Sequence, residues 1–328
     1  MHYRKIILLT VLLTCIGILD GFSQTPSCSA ASKFYIKDTI NVTTFGASTV
    51  AGVNGFSFQP YLQQNFKYCY FGKYISITNN GISGETTTQG LPRFEAALQG
   101  RTGFVFILMG VNDAIQLANE PVPPTQAKIN ATLKVTQQNM QKMIDIALKH
   151  GLTTIIGTLQ NLDPSKSPAN KTINKYIATI NAGYKKLAIQ NHIYLADINA
   201  GFGSDYKKYY QPDGIHPNAT GDKLIAYILF DVINFAIESK LLEIGLDQNF
   251  PNPANTKTTI GFSMSQAGSV DIEMYSISGA HTKTITQNAY NSGYHQVVVD
   301  LTNVSPGIYI YVMNIAGRQL SKKMIVVK

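Results

Sequence analysis

Five short apolar runs punctuate the first two thirds of the chain, at residues 40–45, 74–78, 104–109, 153–158 and 193–198. Each is rich in β-branched or aromatic residues and apolar nearly throughout, which is how strands covered on both faces read. Between them, apolar residues recur at helical spacing. The clearest stretch, 126–150, carries Ile129, Leu133, Met140, Met143, Ile144 and Ala147, and closes on Lys149, His150 and Gly151. Those last residues suit a helix C-terminus. Residues 171–189 and 221–237 show the same periodicity. Strands alternating with helices predict a parallel sheet with helices on both faces. Near residue 241 the pattern changes. Asn249-Phe250-Pro251-Asn252-Pro253 is turn-rich. Only strand-like runs follow it, at 258–264, 269–277, 296–301, 308–314 and 323–327. These predict a small all-β sandwich. The expected division is an α/β domain at 24–240, after an N-terminal segment 1–23, then a linker and β-sandwich at 241–328.

Composition adds limits. With 45% apolar residues in 328, the chain buries a proper core, and 14% charged residues argue against long disordered tails. The net charge of +8 is scattered, without a run of Lys and Arg or a basic stripe interleaved with aromatics. No nucleic-acid partner is expected from it. Arg4 and Lys5, the apolar stretch 6–19, and small Gly21 and Ser23 have the order of a signal peptide, with Gln24 as the new first residue. The stretch is short for a transmembrane helix, so no membrane span is expected in the mature chain. Leu12-Leu13-Thr14-Cys15 also loosely resembles a lipobox, although Thr before the Cys fits it poorly. Beyond this segment only Cys28 and Cys69 remain, and an exported chain permits their pairing without requiring it. There is no CxxC, HExxH or Cys/His cluster, so neither a metal nor another cofactor is expected.

Candidate chemistry lies where strands end, because ligands of open parallel sheets bind beyond the strands' C-terminal ends. Gly46-Ala47-Ser48-Thr49 follows the first run. Ser48 there is either a helix N-cap or a nucleophile. A nucleophilic Ser needs a base. Of six His, His216 stands apart, in Pro212-Asp213-Gly214-Ile215-His216-Pro217-Asn218 after the fifth run. A tight turn at Gly214 lets Asp213 accept from the imidazole Nδ1 and leaves Nε2 for the Ser proton. The plainer reading is a turn with Asn218 as a helix cap. Acyl transfer also needs donors for the developing oxyanion. Asn79-Asn80-Gly81-Ile82-Ser83-Gly84-Glu85-Thr86 offers the Gly84 N–H, and Gly110-Val111-Asn112-Asp113 offers the Asn112 amide. Each again has an ordinary alternative, a glycine turn or a helix cap.

Taken together, Ser48, Gly84, Asn112 and His216 resemble, in order and context, the blocks of the SGNH or GDSL-like hydrolase family, over about residues 38–238. The resemblance implies a flavodoxin-like α/β/α sandwich with a five-stranded parallel sheet. It implies esterase, lipase or carbohydrate-deacetylase activity, with Ser48, Asp213 and His216 catalytic. It also implies an oxyanion hole from the Ser48 N–H, the Gly84 N–H and Asn112. One position departs: the family's first block has Asp where this chain has Ala47, so another group must brace the nucleophile loop. The stretch 246–255, Gly307-Ile308-Tyr309-Ile310-Tyr311 and the end 322–328 resemble type IX secretion C-terminal sorting domains. That implies the type IX machinery as partner and a secreted or cell-surface location, reached through the periplasm and across the outer membrane. The expected function is a secreted serine ester hydrolase acting on acetylated polysaccharides or on short-chain or lipid esters. Tyr206, Tyr209 and Tyr210 are candidates to stack on sugars, or simply to pack. The competing class is a non-catalytic surface binding protein on the same scaffold. A Ser48–His216 separation beyond about 6 Å would favour that class.

Overall fold

In the computed structural model, residues 37–327 are described except 243, 265–266 and 316, together with 26–28, 32 and 35. The expected signal peptide, with its lipobox-like stretch, lies outside the described residues.

Each of the five apolar runs of the α/β part is a strand. β1 (Thr39–Gly46), β2 (Tyr74–Gly81), β3 (Phe104–Leu108), β4 (Thr153–Gly157) and β5 (Tyr194–Ala196) form one parallel sheet in the order β2-β1-β3-β4-β5. β3 is buried throughout, as its unbroken apolar sequence requires, whereas the edge strand β2 is mostly half-buried. Two bounds differ from expectation. β2 continues to Gly81 because its ladder with β1 runs on to the Gly46–Gly81 pair. Asn79 and Asn80, expected in a loop, are therefore strand residues. β5 stops at Ala196 because the Asp197 side chain caps the next helix, accepting from the Ala200 N–H at 3.3 Å.

The helices are α1 (Ser48–Ala51), α2 (Gln59–Cys69), α3 (Thr87–Leu98), α4 (Val111–Ala118), α5 (Gln126–Lys149), α6 (Pro168–Gln190), α7 (Ile198–Phe202), α8 (Tyr206–Tyr209) and α9 (Ala219–Leu242). α2 packs against α9, which also touches α7 and α8; α3 packs against α5, and α6 against both α4 and α5. These two groups cover the two faces of the sheet. α3 went unread in the sequence because Gly90 and Pro92 interrupt it. At Gly90 the helix packs closely on its neighbours: a Cβ would lie 2.7 Å from Met109 Cε and 3.4 Å from Phe45 Cε1. A capping box sets its start, with the Gln89 side chain accepting from the Thr86 N–H at 2.9 Å and Thr86 Oγ1 accepting from the Gln89 N–H. A disulfide between Cys28 and Cys69, with Cα atoms 5.2 Å apart, ties the segment before β1 to the end of α2.

The strand order is the flavodoxin-like one, and it reverses direction between β1 and β3. At such a switch point the connections leave in opposite directions and open a crevice above the strand ends. Ser48 and Asn112 both follow the strands that flank it.

The C-terminal part has its own core around Ile260, Phe262, Ile272, Tyr311 and Met324. One sheet is β10-β7-β6, from β6 (Gly245–Leu246), β7 (Lys257–Met264) and β10 (Gly293–Asp300). The other is β12-β11-β8-β9, from β8 (Gly268–Ser276), β9 (His281–Tyr290), β11 (Gly307–Ile315) and β12 (Arg318–Val326). The pairing is antiparallel. β9 was not anticipated. It is an edge strand whose one buried residue is Thr286, so it lacks the apolar alternation that marks a half-buried strand. Among the described residues, no helix is long and apolar enough to cross a membrane.

Candidate active site

The chain leaves β1 through glycine because nothing larger fits. A Cβ on Gly46 would lie 2.3 Å from Val50 Cγ2 and 2.5 Å from the Leu108 carbonyl oxygen. On Gly81 it would lie 2.1 Å from the Ala51 nitrogen. These contacts press α1 against the ends of β1 and β2. The N-cap of α1 is Ala47, and Ser48 is its first helical residue. The Ser48 hydroxyl therefore does not cap the helix. It is 8% exposed and lies 2.9 Å from His216 Nε2.

The loop between α8 and α9 presents His216. Gly214 (φ +68°) packs onto the loop before α6: its Cβ would fall 2.6 Å from Lys166 Cγ, and its carbonyl accepts from the Asp163 N–H at 2.8 Å. Asp213 folds back within this turn. Its Oδ1 accepts from the Ile215 and His216 N–H groups at 2.8 and 3.0 Å, and its Oδ2 lies 2.7 Å from His216 Nδ1. Burial alone would raise the Asp213 pKa. The hydrogen bonds from the His216 ring and from the Ile215 and His216 N–H groups outweigh it and hold the carboxyl below its ordinary value. An ionised carboxylate only accepts, so Nδ1 carries the proton and Nε2 turns its lone pair to Ser48. The capping role expected of Asn218 is also present: its Oδ1 accepts from the Thr220 and Gly221 N–H groups at 2.9 and 3.1 Å. The two readings of this loop were compatible.

Gly84 sits in the turn after β2 with φ +82°, a conformation that favours glycine. Among the described residues, neither its N–H nor that of Ser48 donates to a protein acceptor. Asn112 is the second residue of α4, and its Nδ2 donates to the Glu85 carbonyl at 2.9 Å. One amide hydrogen is spent there, leaving the second for another acceptor. Asp113 does not cap its own helix. It takes the Thr87 N–H at 2.9 Å and the Thr87 and Thr136 hydroxyls at 2.6 and 3.0 Å, while burial raises its pKa. That ties α4 to the start of α3.

Several residues around this centre were not singled out in the sequence. Buried Gln160 donates to Thr49 Oγ1 at 3.3 Å. Buried Gln211 accepts from Asn54 at 2.8 Å and donates to the Pro217 carbonyl at 2.8 Å, joining the turn after α1 to the His216 loop. A lone Gln in a loop carries no pattern that would reveal either. Of the three tyrosines, Tyr206 and Tyr209 are half-buried. Tyr210 is buried with its hydroxyl on the Asn161 carbonyl, and the Tyr209 and Tyr210 rings pack on Phe202 at 5.4 Å.

Beside Ser48 lies a shallow crevice lined by Thr49, Val53, Phe56, Gln211, His216 and Asp222. Asp222 is 2% exposed, and among the described residues its Oδ2 has no hydrogen-bond partner. Burial pushes its pKa up to about 7. Unfolded Asp titrates near about 3.9. The folded chain therefore holds a proton that the unfolded chain releases between those values, and stability falls as pH rises through that window. Asp222→Asn should stabilise the fold at pH 8 by about 2 kcal/mol, raising the melting temperature several degrees, with little change at pH 4. Equal shifts at both pH values would contradict this.

The model of the GDSL-like lipase/acylhydrolase family matches residues 44–224, more than half of the chain. That of the secretion system C-terminal sorting domain matches residues 248–327. The β module is this type IX sorting domain, which directs export across the outer membrane to the cell surface or the medium. No curated protein matches the chain. Similar solved structures include a lipase/acylhydrolase from Enterococcus faecalis, 19% identical over 60% of this chain and 96% of that one (TM-score 0.49). A protein described as a GDSL-like lipase from Parabacteroides merdae is 17% identical over 60% of this chain and 96% of that one (TM-score 0.50). An acetylxylan esterase from Geobacillus stearothermophilus is 19% identical over 59% of this chain and 94% of that one (TM-score 0.47). The family model, matched over residues 44–224, shows that the chain belongs to the GDSL-like lipase/acylhydrolase family.

Proposed function

We propose that residues 24–240 form a secreted serine ester hydrolase, carried by the 241–328 sorting module, with Ser48, His216 and Asp213 as its catalytic residues. The observation that carries this reading is the unbroken relay from Asp213 Oδ2 through His216 to Ser48 Oγ, at 2.7 and 2.9 Å. Ser48 attacks the ester carbonyl while His216 Nε2 takes its proton, and Asp213 steadies the imidazolium that forms. The free N–H groups of Ser48 and Gly84 and the second Asn112 amide hydrogen receive the oxyanion. The alkoxide leaves with the proton from His216. Water, deprotonated by the same His, then hydrolyses the acyl-enzyme.

The substrate class is an ester of a small acyl group, such as an acetylated polysaccharide or a short-chain ester. The crevice beside Ser48, walled by Val53, Phe56, Gln211 and Pro217, is shallow and encloses no chamber that would take a long acyl chain. Export also removes the chain from intracellular coenzyme A thioesters. A panel of acetylated xylan, acetylated pectin and p-nitrophenyl esters of graded chain length tests this. Acetyl esters should exceed the laurate ester in kcat/KM by about 100-fold, on the order of 3 kcal/mol of transition-state binding. A preference for laurate would contradict the short-acyl assignment.

A further inference from the structure

Position 47 holds no group that braces the nucleophile loop. Ala47 is 2% exposed and offers only a methyl. We propose that Arg93, paired with Glu85, is the positioning residue that holds the oxyanion donors in register. This rests on the serine hydrolase reading above.

The Arg93 guanidinium lies over the Phe45 ring, 4.1 Å from its centroid, at the end of β1. Its Nε donates to both Glu85 carboxylate oxygens at 3.0 and 2.9 Å, and its Nη2 reaches Oε2 at 2.5 Å. Nη1 donates to the Asn80 carbonyl at 3.0 Å, and Nη2 to the Gly46 carbonyl at 3.4 Å. One planar group thus grips the ends of β1 and β2 and the turn after β2. Each oxyanion donor hangs from one of those points. Ser48 follows Gly46 by two residues. Gly84 precedes Glu85 directly. Asn112 is bonded to the Glu85 carbonyl. The Gly46 carbonyl also accepts from the Ile82 N–H at 3.0 Å, which closes the ring between the nucleophile strand and the Gly84 turn. Both side chains are largely shielded, at 25% and 15% exposure, so the pair is not an ordinary surface ion pair. The planar fork matters as much as the charge, because an ammonium is a single point and cannot span three acceptors in different directions.

The test compares Arg93→Met, Arg93→Lys and Glu85→Gln with the unaltered protein. It reads kcat and KM for p-nitrophenyl acetate, the affinity for a phenylboronic acid that forms a tetrahedral adduct on serine, and the melting temperature. Displacing donors by about an ångström costs about 100-fold in rate. Arg93→Met should therefore lower kcat by about that factor, with KM within about threefold and boronate affinity falling in parallel with kcat. Arg93→Lys should recover only a small part. A folded Arg93→Met protein with kcat within about threefold of the original overturns the proposal, as does a kcat loss without loss of boronate affinity. Where Arg93→Met does not fold, Glu85→Gln decides, since it keeps the shape and removes the charge: the same kcat loss supports the proposal and unchanged kcat overturns it. Turnover that survives Ser48→Ala defeats the serine reading itself, whatever the Arg93 variants do.

Discussion

Ser48→Ala should lower turnover of p-nitrophenyl acetate by a factor on the order of 10⁴ or more, with the melting temperature nearly unchanged. The hydroxyl makes no helix cap, so its removal leaves α1 as it was. Ala fits the same space, and the Ser48 side chain is already closely surrounded at 8% exposure. What disappears is the atom that forms the acyl-enzyme. The oxyanion donors, the backbone N–H of position 48 among them, still polarise a bound ester, so slow attack by water persists at a residual level. Steady-state kinetics on purified protein, with circular dichroism to check folding, measures this.

The second large effect is expected from Asp213→Asn, a fall in kcat of about 10²- to 10⁴-fold with KM little altered. The Asn Oδ1 can still accept from the Ile215 and His216 N–H groups that hold the turn, so the loop keeps its shape. The change falls on Oδ2, which becomes an N–H donor facing Nδ1. Nδ1 must then present a lone pair, the proton moves to Nε2, and Nε2 can no longer accept from Ser48. The loss is one of tautomer rather than of position. The Asp213 carboxyl is held below its ordinary value, so it contributes stability above the unfolded pKa of about 3.9 and loses it as pH falls through the depressed folded value. Asp213→Asn should accordingly cost stability at pH 7 and little in strong acid. A variant that keeps more than about a tenth of the original kcat would argue that His216 is oriented by something else.

The sheet was legible because its central strands are buried on both faces and so carry apolar or β-branched runs, unbroken and apolar in β3 and Thr-Thr-Ile-Ile in β4. The long amphipathic α5 and α6 were legible for the same reason, a continuous buried stripe. Shorter elements escaped notice, α2 and α3 among them, although each of these helices buries one face. α3 is interrupted by Gly90 and Pro92, and its start is set by Thr86 and Gln89, side chains that spell a cap only once the helix is known. The polar edge strand β9 has almost nothing to bury. At the site, Ser48, Gly84 and Asn112 stood out because each closely follows a strand, and topology brings strand ends together; Asp213 and His216 stood out by their three-residue spacing around Gly214, although α7 and α8 separate their loop from β5. Arg93 did not, because it works from the middle of a helix across to carbonyls on two strands, a relation that sequence spacing does not display. Asp222 was hidden for another reason. An Asp in the first turn of a helix reads as a favourable partner of the helix dipole, and only burial reveals it as an unpaired acid.

The central claim is that Ser48 is the nucleophile, and reaction with a fluorophosphonate ester tests it most directly. At neutral pH the reagent should add one phosphonyl group to the chain. Peptide mass spectrometry should place it on Ser48, activity should disappear in step with the labelling, and the Ser48→Ala protein should remain unlabelled. Labelling at another residue, or full labelling of Ser48 with turnover intact, would contradict the account.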